Sequence, residues 1–295
     1  MSATTMGRWS QAIEQIRLTG EDTRRFLHGQ SSQAIEGAAY GSCLPTCLIS
    51  PTGRMRALAL VRVDGNGADL LVLVGDGQAV HQALDRVLFP ADRVRLGAVQ
   101  PTTLVRWIGS AAPSSSEALL SSGVDLGAGS DQPAWLQQPG AALPDWLAAL
   151  PELSAQASEQ LRLRHGFPAA PAELNDSTNP FELGLAAWVS LNKGCYVGQE
   201  TLAKLATYDG VKQQLRHWRT SSTAACVPGS SLRTAAGEKA GVITSMLTGG
   251  DGQEGLALVR RSALEASELH AGESGTTITL ETPIGFVAPP VSGQR

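Results

Sequence analysis

Residues 43–74 read CLPTCLISPTGRMRALALVRVDGNGADLLVLV, and the fold class turns on them. Three apolar runs, Cys43–Ser50, Met55–Asp64 and Asp69–Val74, are separated by Pro51-Thr52-Gly53 and by Asp64-Gly65-Asn66-Gly67. Both breaks are turn sequences of the kind that joins antiparallel strands. Upstream, Glu21–Ser32 reads as a helix opened by Gly20 or Thr19, with acids in its first turn and Phe26 and Leu27 as apolar contacts. Downstream, Val80, Ala83, Leu84, Val87 and Leu88 share one helical face that ends before Pro90. Asp92–Leu96 and Thr102–Ile108 follow as further strands. Strands joined by hairpins and interleaved with helices predict an α+β fold, not a repeating βαβ sheet.

Further out the organisation changes. Ala111–Pro133 is rich in Ser, Gly, Ala and Pro and predicts a long surface excursion. Ser154–His165 reads as a helix, and residues 168–180 as a connector carrying Glu173 and Asp176. After Gly210, short strands (Gln213–Arg219, Gly241–Leu247, Gly255–Arg261, Thr276–Glu281 and Ile284–Ala288) alternate with Gly-rich turns. That pattern predicts a small β-barrel, with a boundary near residue 210.

The 295 residues suit about two domains. With 23 Lys+Arg against 27 Asp+Glu the formal charge is −4, which excludes a generic nucleic-acid binder and gives no expectation of direct DNA binding. No apolar run approaches ~20 residues, so no membrane span is expected. Met1–Ser10 lacks a signal-peptide pattern, so the cytoplasm is the expected location. Lysine is scarce, and Lys193, Lys204 and Lys212 make up three of only four. The window Lys193–Arg219 holds five basic residues and two acids, a local +3. It reads either as a solvated face or as a cationic rim.

Several familiar motifs fail. Gly75-Asp76-Gly77 follows a strand and opens a helix, but Val80 stands where a dinucleotide fingerprint needs its third glycine, so a plain β–α turn is expected. The five histidines are scattered. Four cysteines without a CxxC pair exclude a disulfide scaffold and a zinc ribbon. Cys43 and Cys47 would lie ~13 Å apart on one extended face, which suits buried small hydrophobes, and Cys226 reads as incidental.

Cys195 is different. Residues 192–200 read Asn-Lys-Gly-Cys-Tyr-Val-Gly-Gln-Glu. Gly194 and Gly198 free the backbone for tight geometry. Lys193 lies two residues from the thiol, and a nearby cation raises the thiolate fraction. Gln199-Glu200 begins a helix running to Ala206, whose N-terminus also favours an anion. A reactive thiol and a glycine-bounded turn holding a buried structural cysteine both fit these residues.

The octapeptide Lys193–Glu200, KGCYVGQE, resembles the signature of the YgfZ family of folate-binding proteins, whose mitochondrial relatives are iron–sulfur assembly factors. They belong to the superfamily of the glycine-cleavage T-protein, a folate-dependent aminomethyltransferase. Leu18–Asp22 with Phe26–Gln30, Ser50–Arg54, Arg162–Pro168, Asn179–Leu185, Ala240–Ser245 and Ala257–Arg261 resemble other family segments, in the family's order. The resemblance implies an α+β, T-protein-like multi-subdomain ring with ferredoxin-like α+β portions and a C-terminal small β-barrel. Residues 1–210 would form the folate-binding part as two interleaved subdomains, and residues 211–295 the barrel. It implies a central channel for tetrahydrofolate or another folate derivative, with Gln30, Arg54, Arg162 and Glu182 as the candidate contacts and Tyr196 and Gln199 as further suitable types. Where family members offer tryptophans, this chain has Ile13 and Ser158.

For function, the resemblance implies an iron–sulfur cluster assembly or repair factor with Cys195 as the reactive atom and Lys193 as its electrostatic activator. Gly194 and Gly198 would enable the loop, Tyr196 would support it, and Gln199 and Glu200 would orient it or cap the helix. One thiol does not hold a cluster alone. Cys195 would therefore lend one ligand to a transient cluster shared with an assembly or client protein, or act as a redox or sulfur-handling nucleophile. The effect on tRNA modification would be indirect, through radical iron–sulfur enzymes. Two alternatives remain: a folate-dependent aminomethyl or methyl transferase, and a non-catalytic folate sensor or docking module. Against the first, Arg54–Leu60 contains no acid where the T-protein carries its catalytic Asp.

Overall fold

The computed structural model describes residues 6–109, 116, 118–126, 133–222 and 226–289. The chain starts with β1 (Gly7–Thr19) and α1 (Thr23–Gln30), then runs through β2 (Cys43–Ile49), β3 (Met55–Asp64), β4 (Gly67–Val74), α2 (Gly77–Asp85) and β5 (Arg95–Ile108). β6 (Leu119–Leu120) and β7 (Ala134–Gln137) complete a seven-stranded antiparallel sheet of order β2-β3-β4-β1-β5-β7-β6.

β3 shows why this sheet needs a layer on both sides. Its side chains alternate between two faces. Ala57, Ala59, Val61 and Val63 pack with Leu27 of α1 and with Val80 and Leu84 of α2. Leu58 and Leu60 face the other way, into a core that also contains Leu71, Leu73, Leu104, Phe181, Trp188, Leu202 and Leu215. Small residues let the helices sit close, while the leucine face takes up the second half of the chain. Each fully buried leucine contributes ~1.5–3 kcal/mol.

That second half contains α3 (Asp145–Ala148), α4 (Ala155–His165) and α5 (Gln199–Thr207). Ser154 caps α4 by accepting the Ala157 N–H, and Gly166 ends it in left-handed geometry, φ 71°. The C-terminal strands β8 (Gln213–Thr220), β9 (Ser231–Arg233), β10 (Lys239–Gly249), β11 (Gly252–Arg260), β12 (Glu268–Ala271) and β13 (Thr276–Glu281) close into a barrel of order β10-β11-β8-β13-β12-β9. Trp218, Ile243, Val259, Leu269 and Ile278 fill it.

Several expectations change. β1 had no counterpart in the sequence reading. The helix expected over Glu21–Ser32 runs only from Thr23 to Gln30; Asp22 stands at its N-cap position, but its carboxylate accepts bonds from Arg93 and makes no cap bond. The two strands expected at Asp92–Leu96 and Thr102–Ile108 are one, held along its length by β1 from Thr19–Arg95 to Gly7–Ile108. Ile284–Ala288 is not a barrel strand. The backbone N–H groups of Ile284 and Gly285 bond the carbonyls of Arg164 and His165, which pulls the chain back to the end of α4. Within Ala111–Pro133, residues 111–115, 117 and 127–132 lie outside the described set. The described part is more than surface loop, since β6 pairs with β7 and Leu120 and Leu126 are buried. Cys43, Cys47 and Cys226 are buried free thiols, and Asp76 caps α2.

A polar cluster fastens α4 to the barrel. Glu254 of β11 accepts hydrogen bonds from Gln160 and from His217 (3.0 Å), with Arg164 at 3.4 Å. Burial alone would raise the Glu254 carboxyl, but His217, Gln160 and Arg164 outweigh it and bring it to about 2 from an ordinary 4.5. A carboxyl lowered on folding stabilises above its unfolded pKa, and that contribution is lost as pH falls from about 4.5 through about 2. Urea-unfolding midpoints measured across this window should fall with acidity in the wild type, and Glu254→Gln should remove part of that slope. Identical slopes in the two proteins would contradict the assignment.

Candidate functional site

The segment 193–200 lies across the C-terminal end of α1 and the β2–β3 hairpin, and nearly every residue in it is committed to holding that position. The Lys193 ammonium donates to the His28 carbonyl and sits 4.5 Å from the centre of the Tyr196 ring. Tyr196 is buried in the leucine-face core. The Val197 N–H bonds the Gly29 carbonyl at 3.2 Å. Gly198 has φ 79°, and a Cβ there would come within 2.5 Å of the Ser50 carbonyl oxygen, so only glycine fits. The Gln199 side-chain amide donates to the Lys193 carbonyl at 3.2 Å and closes the loop at the first residue of α5. Glu200 lies in the first turn of that helix. Gly194 has no such constraint: a Cβ there would meet only His28 Nε2, at 3.8 Å.

Cys195 remains outside this scaffold. It alone is exposed among the four cysteines, and the reading of a buried structural cysteine does not hold. Burial pushes the thiols of Cys43 and Cys47 up to about 12. Lys193 is buried, and burial lowers its ammonium to about 7. Its partners are the His28 carbonyl and Tyr196, with no hydrogen bond to the thiol. The structure therefore gives Lys193 an anchoring position. It also removes Lys193 from any exposed cationic rim, although Lys204 and Lys212 remain exposed.

One cavity borders this scaffold and a second adjoins the first. The larger, ≈740 Å³, has a mostly apolar wall from β2, α2 and the 170–176 connector, and Gln30 and Val197 also line it. The smaller, ≈420 Å³, is lined by Trp9, Gln11, Arg106, Ser158, Arg162 and Phe167, among others. Gly75 and Ala170 belong to both walls, so the two spaces meet.

The predicted folate contacts divide between these spaces and the interior. Gln30 lines the larger cavity and Arg162 the smaller. Arg162 is also a structural hub. It bonds Glu159, the Phe167 carbonyl (2.7 Å) and Ser245, with Glu173 at 3.4 Å. Arg54 and Glu182 line neither cavity. Arg54 donates to the Ser177 carbonyl at 2.7 Å and lies 3.8 Å from the Glu182 carboxylate, which accepts the Asn179 N–H at 3.0 Å. Burial raises the Glu182 carboxyl. Ile13 is a core residue, while Ser158 lines the smaller cavity. The sequence reading missed Trp9 and Arg106, which face each other across β1 and β5. Only the β1–β5 pairing exposes that contact. Among the described residues, no group of three His, Cys, Asp or Glu is placed to hold a metal ion.

Comparison with known proteins agrees with this architecture. Residues 216–285 match the family model of the CAF17 C-terminal β-barrel domain. A chloroplastic protein of Arabidopsis thaliana, which its name describes as a proposed transferase, is 31% identical over 302 aligned residues covering 91% of this chain and 68% of that protein. The crystal structure of the glycine cleavage system aminomethyltransferase T from Bartonella henselae superposes with a TM-score of 0.75 at 16% identity, covering 98% of this chain and 88% of that one. The fold is thus that of the T-protein, with its mixed helices and sheet and its closed barrel, and the chain belongs to the YgfZ/CAF17 family.

Proposed function

We propose that this protein binds a reduced folate, such as tetrahydrofolate, in the paired cavities and uses the Cys195 thiol in iron–sulfur cluster assembly or repair. One observation carries the reading: the motif scaffold leaves Cys195 exposed while Val197, two residues on, lines the larger cavity. A space of ≈740 Å³ lies within the usual range for small-molecule sites. Its apolar wall suits a flat pterin, and Gln30 supplies an amide partner for the ring's donors and acceptors. Beyond the junction at Gly75 and Ala170, Arg162 stands on the wall of the smaller cavity, its charge shared with Glu159 and Glu173.

A resident cluster does not fit this chain, because Cys43, Cys47 and Cys226 are buried and none joins Cys195. A cluster would be cargo, with Cys195 offering one thiolate while the client or assembly partner holds the remaining ligands. Clients would include radical iron–sulfur enzymes that modify tRNA, and the effect on tRNA would be indirect.

The transferase suggested by the Arabidopsis relative's name would need a carboxylate free for proton transfer at the folate. Asp76 and Asp176 line the larger cavity, but Asp76 caps α2 through the N–H groups of Gln78 and Ala79, and Asp176 pairs with Arg56 at 2.5 Å. Their commitment favours the assembly role.

Three outcomes follow. A thiol-reactive probe at neutral pH should label about one cysteine per native chain, and Cys195→Ser should abolish the labelling; undiminished labelling of the variant would contradict the exposure pattern. In a strain lacking this protein, Cys195→Ser should fail to restore iron–sulfur enzyme activity, whereas Gly194→Ala should restore it. Full rescue by the serine variant would remove the thiol from the function. Calorimetric titration with tetrahydrofolate should show saturable binding to wild type and to Cys195→Ser alike, and no heat with either would refute the folate assignment.

A further inference from the structure

Among the described residues, Arg106 is a buried cation with no ion pair. Its side chain is buried at 5% exposure, and its Nε has no hydrogen-bond partner. One terminal nitrogen donates to the neutral Gln11 side chain. Among the described residues no carboxylate lies within ion-pair distance. The carboxylate that acts on it from farther off, Asp125, lies 3.1 Å from His165 Nδ1. Burial lowers the guanidinium to about 10, yet it remains a cation at neutral pH. Aromatic faces partly replace the missing anion, with Trp9 at 6.0 Å and Phe167 at 5.0 Å from the guanidinium carbon. A buried cation short of hydrogen bonds is unfavourable. Arg106 also lines the ≈420 Å³ cleft, so a ligand has access to it.

We propose that this cleft is a carboxylate-binding subsite, in which Arg106 receives the anion while the ligand's apolar body rests along Leu73, Val74 and Phe167. A planar guanidinium matches a carboxylate through paired N–H donors. Arg162, on the same wall, has its charge taken by Glu159 and Glu173, which leaves Arg106 as the recognition group. The carboxylate has two possible sources. It is either the glutamyl tail of the folate, reaching across the junction at Gly75 and Ala170, or a separate small aromatic carboxylate. Only the first source rests on the folate reading above.

Calorimetry with three probes separates the cases: tetrahydrofolate, its tail half N-(4-aminobenzoyl)-L-glutamate, and its head half 6-methyltetrahydropterin, which carries no carboxylate. The variants are Arg106→Gln and Ser158→Glu. The second adds a negative charge on the cleft wall from α4 and leaves the sheet untouched, so it tests the site even if Arg106→Gln fails to fold. The tail half should bind wild type and weaken by at least about tenfold in both variants, while the head half binds all three proteins equally. If tetrahydrofolate weakens in parallel, the tail is the natural source. If the tail half binds through Arg106 while tetrahydrofolate does not bind at all, the subsite stands and the folate reading falls. If tetrahydrofolate binds all three proteins equally and the tail half binds none, the subsite is refuted and the folate reading stands.

Discussion

A sheet that buries both faces must be covered on both, and this requirement organises the molecule. The Ala/Val face of β3 is closed by α1 and α2, and its leucine face by segments from the second half of the chain. Residues as distant in sequence as Leu60, Trp188, Leu202 and Leu215 therefore share one core. Layers that meet at an angle rarely close completely, and the two cavities lie along this seam. The site is thus a product of packing between the halves and belongs to neither alone.

The same seam explains the KGCYVGQE segment. Lys193, Tyr196, Val197, Gly198 and Gln199 each bond or pack against α1, the β2–β3 hairpin or the loop itself. Such over-determination fixes a backbone in a conformation it would not hold alone. At its centre Gly194 and the Cys195 thiol are exposed. The lysine beside it, which looks like an activator when only sequence distance is considered, is spent on a helix C-terminus and an aromatic face.

Hairpins, glycine-bounded turns and the strand-rich C-terminal module were legible in the sequence because local chemistry fixes them, as at Pro51-Thr52-Gly53 and Asp64–Gly67. β1 was not legible. Its odd positions, such as Ile13, face one core and its even positions, Ile16 and Leu18, the other, so no single apolar stripe marks it. The break assumed between Leu96 and Thr102 disappears because β1 holds both pieces in register. At the site, the octapeptide marked the loop that carries the exposed thiol. The commitment of Arg54 to Glu182, and the bonding of Arg106 to the neutral Gln11, depend on contacts between residues more than ninety positions apart in the second case and over a hundred in the first.

In the proposed function the thiol and the larger cavity form one site, joined by Val197 and Gln30. The most direct measurement is the alkylation rate of Cys195 as tetrahydrofolate is added. A ligand against Val197 should change that rate several-fold and saturate with the binding isotherm. An alkylation rate unchanged across the whole titration would contradict the account, since it would leave the thiol and the cavity as unrelated features of the same fold.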